Sequence, residues 1–567
     1  MPNIKVDFIV DPRGKQERPK FSLAPRHSLE ELKKGPILFY DNTKLEFCNY
    51  GEIFPTIKEY FRKKGITNFV DIRETVRGKT TRDFRRIARE LAQKGFKAAV
   101  VALGDVGVTP GSVVLTIELE KVGIPSVLIT APPGAKLAEA VAFYRAGCLC
   151  LCSIDIYQAS SKEEVRSEME KKLGCVFDSL TLPPDELVRH HTIKLEMDST
   201  PPTGELSVCE SVVLDNKVVP GILMEETLDL FDSLHIGDGL PVIPPTKERI
   251  SRMMTYCPFD PEEVLVAEVG PSGKNITVKD VIVNAVLAGC KPEYLPILIT
   301  VFRALADPRY NFLQSVTTSH PGGNLVLVSG PIAQEIGLYG GQGCLGPGFR
   351  ANATIGRAVN LVILNVTRAV PGVADLDCIA SPCEYTYCFA EDPSLSPWPT
   401  INQERFDKDT TSVYVLKAAP PHDVIDFLSQ SAKDLLDTFI DSSTSLGDNN
   451  AYISGNLILV LTPDHAKILH QQGWDKPKIR RYLYEKIRNE RSKVEGRGIV
   501  PVRPSGFEEL DLIPVTRSPS DIEIVVAGGR GGHSAVITPW ALHSEAIVEP
   551  IRLPNGKIAR SINEFRR

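Results

Sequence analysis

The chain contains no uninterrupted apolar run long enough to cross a bilayer, which needs roughly 20 residues. Its longest apolar stretch, 278–306, is broken by Gly289, Lys291 and Pro292 and predicts two buried helices instead. Residues 1–15 lack the apolar core of a secretory signal. Twelve cysteines are present, from Cys48 to Cys388, yet none forms a C-x-x-C pair and no zinc-ribbon spacing occurs. Without a secretory signal they are expected to be reduced thiols, not a disulfide framework. There is no excess of positive charge: the formal net charge is −6, so nothing draws the chain in bulk to nucleic acid or an anionic membrane. The basic stretch 476–491 alternates with Glu485 and Glu490 and reads as a solvated helix face. No internal repeat or low-complexity tract is evident. These absences predict a soluble, cytoplasmic protein with neither nucleic-acid nor membrane partners, and a homo-oligomer is the expected state.

What is present suits a large globular protein: 567 residues, 43% hydrophobic and 24% charged. That length predicts two or three domains. Short apolar runs at 37–40, 68–72, 98–103, 126–130 and 148–154 alternate with helical patterns at 53–64, 82–94, 112–122, 136–146 and 162–173. A β-α-β-α rhythm of this kind predicts an α/β fold with a parallel, flavodoxin-like or Rossmann-like sheet. Pro183, Pro184, Pro201, Pro202 and Gly204 then mark a linker. The expected division is an α/β domain at 1–180, a linker or crossover at 181–219, and a mixed α/β region of one or two subdomains at 220–567. In that last region, helices are expected at 278–288, 294–306 and 352–366, with strands at 325–329 and 522–527.

The strand ending at Leu103 runs into Gly104-Asp105-Val106-Gly107-Val108-Thr109-Pro110-Gly111-Ser112 and a helix. Glycines allow close backbone approach there, and the helix start offers free N–H groups. Asp41-Asn42-x-Lys44, Gly104-Asp105-Val106-Gly107 and Glu118-x-Glu120-Lys121-x-Gly123-Ile124-Pro125 together resemble the selenoprotein-related UGSC family. They are more distantly similar to the selenoprotein subunits of glycine, betaine and proline reductases. The resemblance covers about residues 36–130. It implies selenocysteine or cysteine where this chain has Val106, and Ser-Cys where it has Val108 and Thr109. Valine can neither ionise nor attack, so a ligand pocket with altered chemistry is expected, lined by Asp41, Lys44, Asp105 and Thr109. Cys148, Cys150 and Cys152 alternate onto one strand face and read as core. Segments at 237–246, 346–357 and 387–391 also look similar to longer UGSC-related proteins.

Two glycine-rich loops are the other candidates. Gly341-x-Gly343-x-x-Gly346 has the spelling of a dinucleotide fingerprint. The strand before it ends too early, and no acidic residue follows where a ribose needs one, so NAD is not expected. Arg350, Asn352 and Arg357 at the following helix are candidates for holding a carboxylate or phosphate. Cys344 is a candidate nucleophile of lowered pKa, with His320 as its base. The second loop, Ala527-Gly528-Gly529-Arg530-Gly531-Gly532-His533-Ser534, follows a strand directly. Its backbone at Gly529, Gly531 and Gly532 is expected to cradle an anion, with Arg530 as clamp and His533 as acid or base. Trp540, His543 and Glu545 are candidates to line the same cleft. Glu391 is either a catalytic carboxylate or a buried structural one. His190, His191 and Glu196, or His465 and His470, lack the spacing of a zinc site, so no cofactor is expected and a metal is unsupported. The expected activity is lyase, hydrolase or thiol-assisted transfer on a small anionic or polar metabolite. The alternative is a non-catalytic ligand-binding or scaffold subunit.

Overall fold

The computed structural model describes the chain apart from residues 1–7, 18, 47, 106, 133, 158, 196–201, 208–212, 215–216, 219, 499–508 and 542–543. The N-terminal sheet has five parallel strands: β1 (Ile37–Asp41), β2 (Phe69–Arg73), β3 (Ala98–Gly104), β4 (Ser126–Thr130) and β5 (Leu151–Ser153). Their order is β2-β1-β3-β4-β5. This is the flavodoxin-like doubly wound order, whose direction of winding reverses between β1 and β3. β3 and β4 are buried along their whole length, as strands covered on both faces require. Helix Thr81–Ala92 begins at a capping box between Thr80 and Asp83, and helix Lys162–Thr181 at one between Ser161 and Glu164.

Two sequence expectations are corrected here. Cys152 and Cys175 form a disulfide, because β5 and helix Lys162–Thr181 pack side by side and bring two cysteines distant in sequence together. Cys148 and Cys150 stay buried in the same apolar core. The expected domain start also moves. Residues Phe8–Lys15 form a strand that pairs antiparallel with Thr203–Ser207. Ile9 joins the core of the C-terminal region, not that of the parallel sheet.

The C-terminal region holds two four-stranded sheets. The first is β7-β6-β8-β13, from β6 (Gly323–Ser329), β7 (Cys388–Glu391), β8 (Ser412–Ala418) and β13 (Ile547–Pro550). The second is β9-β12-β10-β11, from β9 (His422–Ile425), β10 (Leu457–Leu461), β11 (Ile522–Val526) and β12 (His533–Ile537). The pairing repeats. β6 lies parallel to β7 and antiparallel to β8, and β10 lies parallel to β11 and antiparallel to β12. The fourth strands are exchanged: β9, following β8, completes the second sheet, and β13, following β12, completes the first.

The repeat is written in the sequence. Gly322-Gly323-Asn324-Leu325-Val326-Leu327-Val328-Ser329-Gly330-Pro331 aligns with Ser454-Gly455-Asn456-Leu457-Ile458-Leu459-Val460-Leu461-Thr462-Pro463. Each stretch is a strand followed by a proline-started helix. The expectation of no internal repeat is therefore overturned.

Alternation along the strands builds four layers. Leu325 and Leu327 face Ile458, Val460 and Ile537 between the sheets. Val326 and Val328 face helices Val278–Ala288, Leu295–Leu305 and Arg350–Val362. Leu457 and Leu459 face helices Ala432–Ser442, Pro463–Gln471 and Lys476–Lys486. Among the described residues, no helix is long and apolar enough to cross a membrane.

The two regions are pinned by arginines. Arg145 is partly buried and donates to Glu268 O and Gly270 O, both at 2.9 Å, while Arg85 pairs with the Glu268 carboxylate at 2.8 Å. Arg145→Met would leave two backbone acceptors without their donor, and a loss of about 2–4 kcal/mol is expected in urea unfolding. A loss below about 0.5 kcal/mol would show that apolar packing alone holds this junction.

Candidate functional site

The reversal between β1 and β3 places Asp41, Lys44, Asp105 and Thr109 at the carboxyl ends of the strands, where open α/β sheets bind ligands. Their polar groups are already engaged within the chain. Asp41 Oδ1 accepts the Thr43 amide at 2.8 Å and caps the turn. Lys44 Nζ sits 3.1 Å from Asp105 Oδ2, and the Thr109 hydroxyl donates to the Asp105 carbonyl. A Cβ on Gly134 would fall 1.8 Å from Asp105 O, so the next loop is packed hard against this turn. Burial raises Asp105 above the usual carboxylate range, with Lys44 and Arg77 opposing the shift. Asn42 ties the two strand ends together, donating to Leu103 O and Ser112 Oγ and accepting from the Leu103 amide. Val106 lies outside the described residues.

The two glycine-rich loops meet. Gly341 bridges to Gly528, and the Gly528 amide donates to Gly340 O at 2.8 Å. Close approach explains their glycines. A Cβ on Gly340 would meet Ala390 O at 2.3 Å, one on Gly529 the Gln342 side chain at 2.8 Å, and one on Gly532 Asp426 O at 2.5 Å. Gly531, at φ +135°, needs its freedom.

The expected anion cradle is corrected as well. Asp464 already supplies a carboxylate, taking the Gly531 amide at 2.9 Å and Arg530 Nε at 3.0 Å. Asn352 staples the first loop through Tyr339 and Cys344 O. Arg357 forks onto Asp238 at 2.7 and 2.8 Å. Arg350 donates twice to Gly289 O.

The catalytic candidates are not assembled around one another. Cys344 is buried, and burial pushes its thiol up to about 11, opposite to the expected lowering. His533 is exposed and pairs with Asp423 at 3.1 Å. Glu391 is buried, accepts from Ser329 Oγ and the Ile401 amide, and faces Lys476 at 3.8 Å, a structural ion pair. Trp540 is buried, Glu545 pairs with Arg517 at 2.9 Å, and His543 and Glu196 fall outside the described residues. Behind His533 lies a pair that the sequence reading passed over. Buried His465 contacts Ser534 Oγ through Nδ1 and Asp426 O through Nε2, each at 2.7 Å.

His320 belongs to a different and more concentrated group. It lies in the loop before β6, beside Asp377 and Lys417. Burial, then Lys417, lowers its imidazole to about 4, so it is neutral at physiological pH. Asp375, Asp377 and Glu384 come from the 368–387 segment, and Lys417 from the end of β8. Burial raises Asp375 to about 6. Burial and then contact with Asp377 hold Glu384 well above the usual carboxylate range. Lys417 Nζ, almost fully buried, stands 3.9 Å from Glu384 Oε1.

Three buried polar atoms here lack a partner: His320 Nδ1, Asp377 Oδ2 and Ser381 Oγ. Two ionised carboxylates cannot hydrogen-bond to each other. A proton on Glu384 supplies the donor that Asp377 needs, as in a carboxyl pair sharing one proton. Backbone packing fixes the group: a Cβ on Gly323 would meet Cys383 O at 2.4 Å, and Cys378 N donates to Ser319 O. Ala374, next to Asp375, enters the core of the N-terminal domain, and Gln314 donates to Val76 O across the same junction. The group therefore sits where the two regions meet.

Among the described residues, no group of three or more His, Cys, Asp or Glu is arranged to hold a metal ion. No family model, no curated protein and no solved structure matches the chain.

Proposed function

We propose that the chain is an enzyme that performs general acid–base chemistry, hydrolysis or elimination, on a small polar or anionic substrate at the His320–Asp375–Asp377–Glu384–Lys417 group. The observation that carries this reading is the close carboxyl pair of Asp377 and Glu384, one member shifted far upward, beside a neutral imidazole whose buried Nδ1 has no partner. Perturbed carboxyls with orphaned polar neighbours are costly to fold and cluster at reacting sites. In this reading Glu384 donates a proton to a leaving group, and Asp375 or His320 accepts one. Lys417 holds an anionic part of the substrate. Kinship with the UGSC family is part of the proposal and rests on the N-terminal motifs.

The test is turnover of a panel of p-nitrophenyl esters and small hydroxy acids across pH. Rates should rise through about pH 6 as Asp375 ionises, then fall at higher pH as Glu384 loses its proton. Turnover that is unchanged in His320→Ala and Asp375→Asn would remove the chemistry from this group, and turnover absent throughout would favour the non-catalytic ligand-binding alternative.

A further inference from the structure

A cavity of about 690 Å³ opens between helix Lys247–Met253, the turn Pro292–Tyr294, the start of helix Arg350–Val362 and the C-terminal residues. Five cations line it, Arg249, Arg252, Lys291, Arg350 and Arg566, against one carboxylate, Glu293. No ion pair within the chain is formed by any of the five, among the described residues, although the chain carries more acidic than basic side chains. Elsewhere its arginines pair readily, as Arg357 does with Asp238 and Arg480 with Glu404 and Glu523. Five like charges around one concavity repel each other, and within it Glu293 is the single carboxylate set against that repulsion.

Two of the five are already oriented by the backbone. Arg350 donates through Nε and Nη2 to Gly289 O at 3.0 and 2.8 Å, and Arg249 through Nη1 to Pro244 O at 2.8 Å. These bonds leave Arg350 Nη1, and Arg249 Nε and Nη2, as donors for a guest. Holding the guanidinium planes in place lowers the ordering cost of binding.

We propose that this cavity binds a small polyanion carrying two or more adjacent phosphate or carboxylate groups. Adjacent negative groups match cations spread around a rim better than a single charge does. None of the acid–base residues lines this cavity, so the site stands independently of the proposed catalytic group.

The test is calorimetric titration of the full chain with inorganic pyrophosphate and, separately, with citrate at low salt. At least one should bind at a single site and weaken as salt rises. Which one binds distinguishes a phosphate from a carboxylate guest. Arg350→Gln and the double variant Arg252→Ser/Lys291→Ser should each raise Kd about tenfold or more. Arg350 also fixes Gly289, so the double variant decides if Arg350→Gln fails to fold. Arg252 and Lys291 make no side-chain bond that the fold requires, among the described residues. Glu384→Gln should bind with unchanged Kd, which separates failure here from failure of the catalytic reading. Absence of binding by both anions, or a Kd unaltered in the double variant, would overturn the proposal.

Discussion

Lys476→Met is expected to destabilise the protein by about 3–5 kcal/mol, because it strips the cation from a buried carboxylate. Lys476 Nζ lies 3.8 Å from Glu391 Oε1 and 3.1 Å from Glu404 Oε2, and the Lys476 and Glu391 side chains are almost inaccessible. Glu391 Oε1 has no hydrogen-bond donor of its own, so the lysine is what compensates that oxygen. The network continues outward through Glu404, Arg480, Glu523 and Arg405, tying helix Lys476–Lys486 to the edge strands β7 and β11.

Burial already raises Glu391 above the carboxylate range, with Lys476 opposing it. Without the lysine the folded-state value rises further, while the unfolded value stays ordinary. A group raised on folding contributes stability that is present below its unfolded value and lost as pH rises through its folded one. Urea unfolding should therefore show a smaller deficit at pH 5 than at pH 8. The double variant Lys476→Met/Glu391→Gln should recover much of the loss, since an uncharged pair needs no cation. A deficit below about 1 kcal/mol, or no recovery in the double variant, would mean that the network contributes little.

Glu384→Gln is expected to lower turnover by about 10²–10⁴-fold, the usual scale for a general acid. The same change should raise stability at neutral pH. Glu384 is raised on folding, first by burial and then by Asp377. Its stabilising contribution is complete below the unfolded carboxyl value and lost as pH rises through the folded one. Glutamine removes that loss and keeps an N–H donor toward Asp377. Variant and wild type should therefore melt alike in acid, with the variant ahead at higher pH. A residue that costs stability yet is needed for turnover has the signature of a reacting group. Equal destabilisation at every pH, with turnover intact, would make Glu384 structural.

The parallel sheet was legible from the chain because each β-α unit is local. The apolar runs at 98–103 and 126–130 lie within one residue of the observed β3 and β4, and helix Val278–Ala288 ends at its predicted bounds. The internal repeat was legible too, in the aligned stretches around Asn324 and Asn456, but its period is long and its fourth strands are exchanged. That exchange breaks the simple order in which a duplication is usually recognised. Cys152–Cys175 and the strand at Phe8–Lys15 were hidden for a related reason, since each is defined by a partner far away in sequence.

The functional candidates divide along the same line. Residue type and spacing pointed to Arg530, Gly531, Cys344 and His533, all in glycine-rich loops. The sequence could not show that Asp464 supplies the anion to Arg530 and Gly531, or that Cys344 is buried. His320 was visible as a lone histidine. Its neighbours Asp375, Asp377, Glu384 and Lys417 carry no motif, and Asp375 and Glu384 acquire raised proton affinities only when packing removes water from around them.

By itself the sequence determined the α/β class, the parallel pairing of the first sheet and the positions of its helices, because hydrophobic period and capping act over a few residues. Only the tertiary structure decided which charges are paired, which are buried and which converge unpaired on a cavity. Desolvation and Coulomb interaction depend on distance and exposure in space, and the chain order does not carry either.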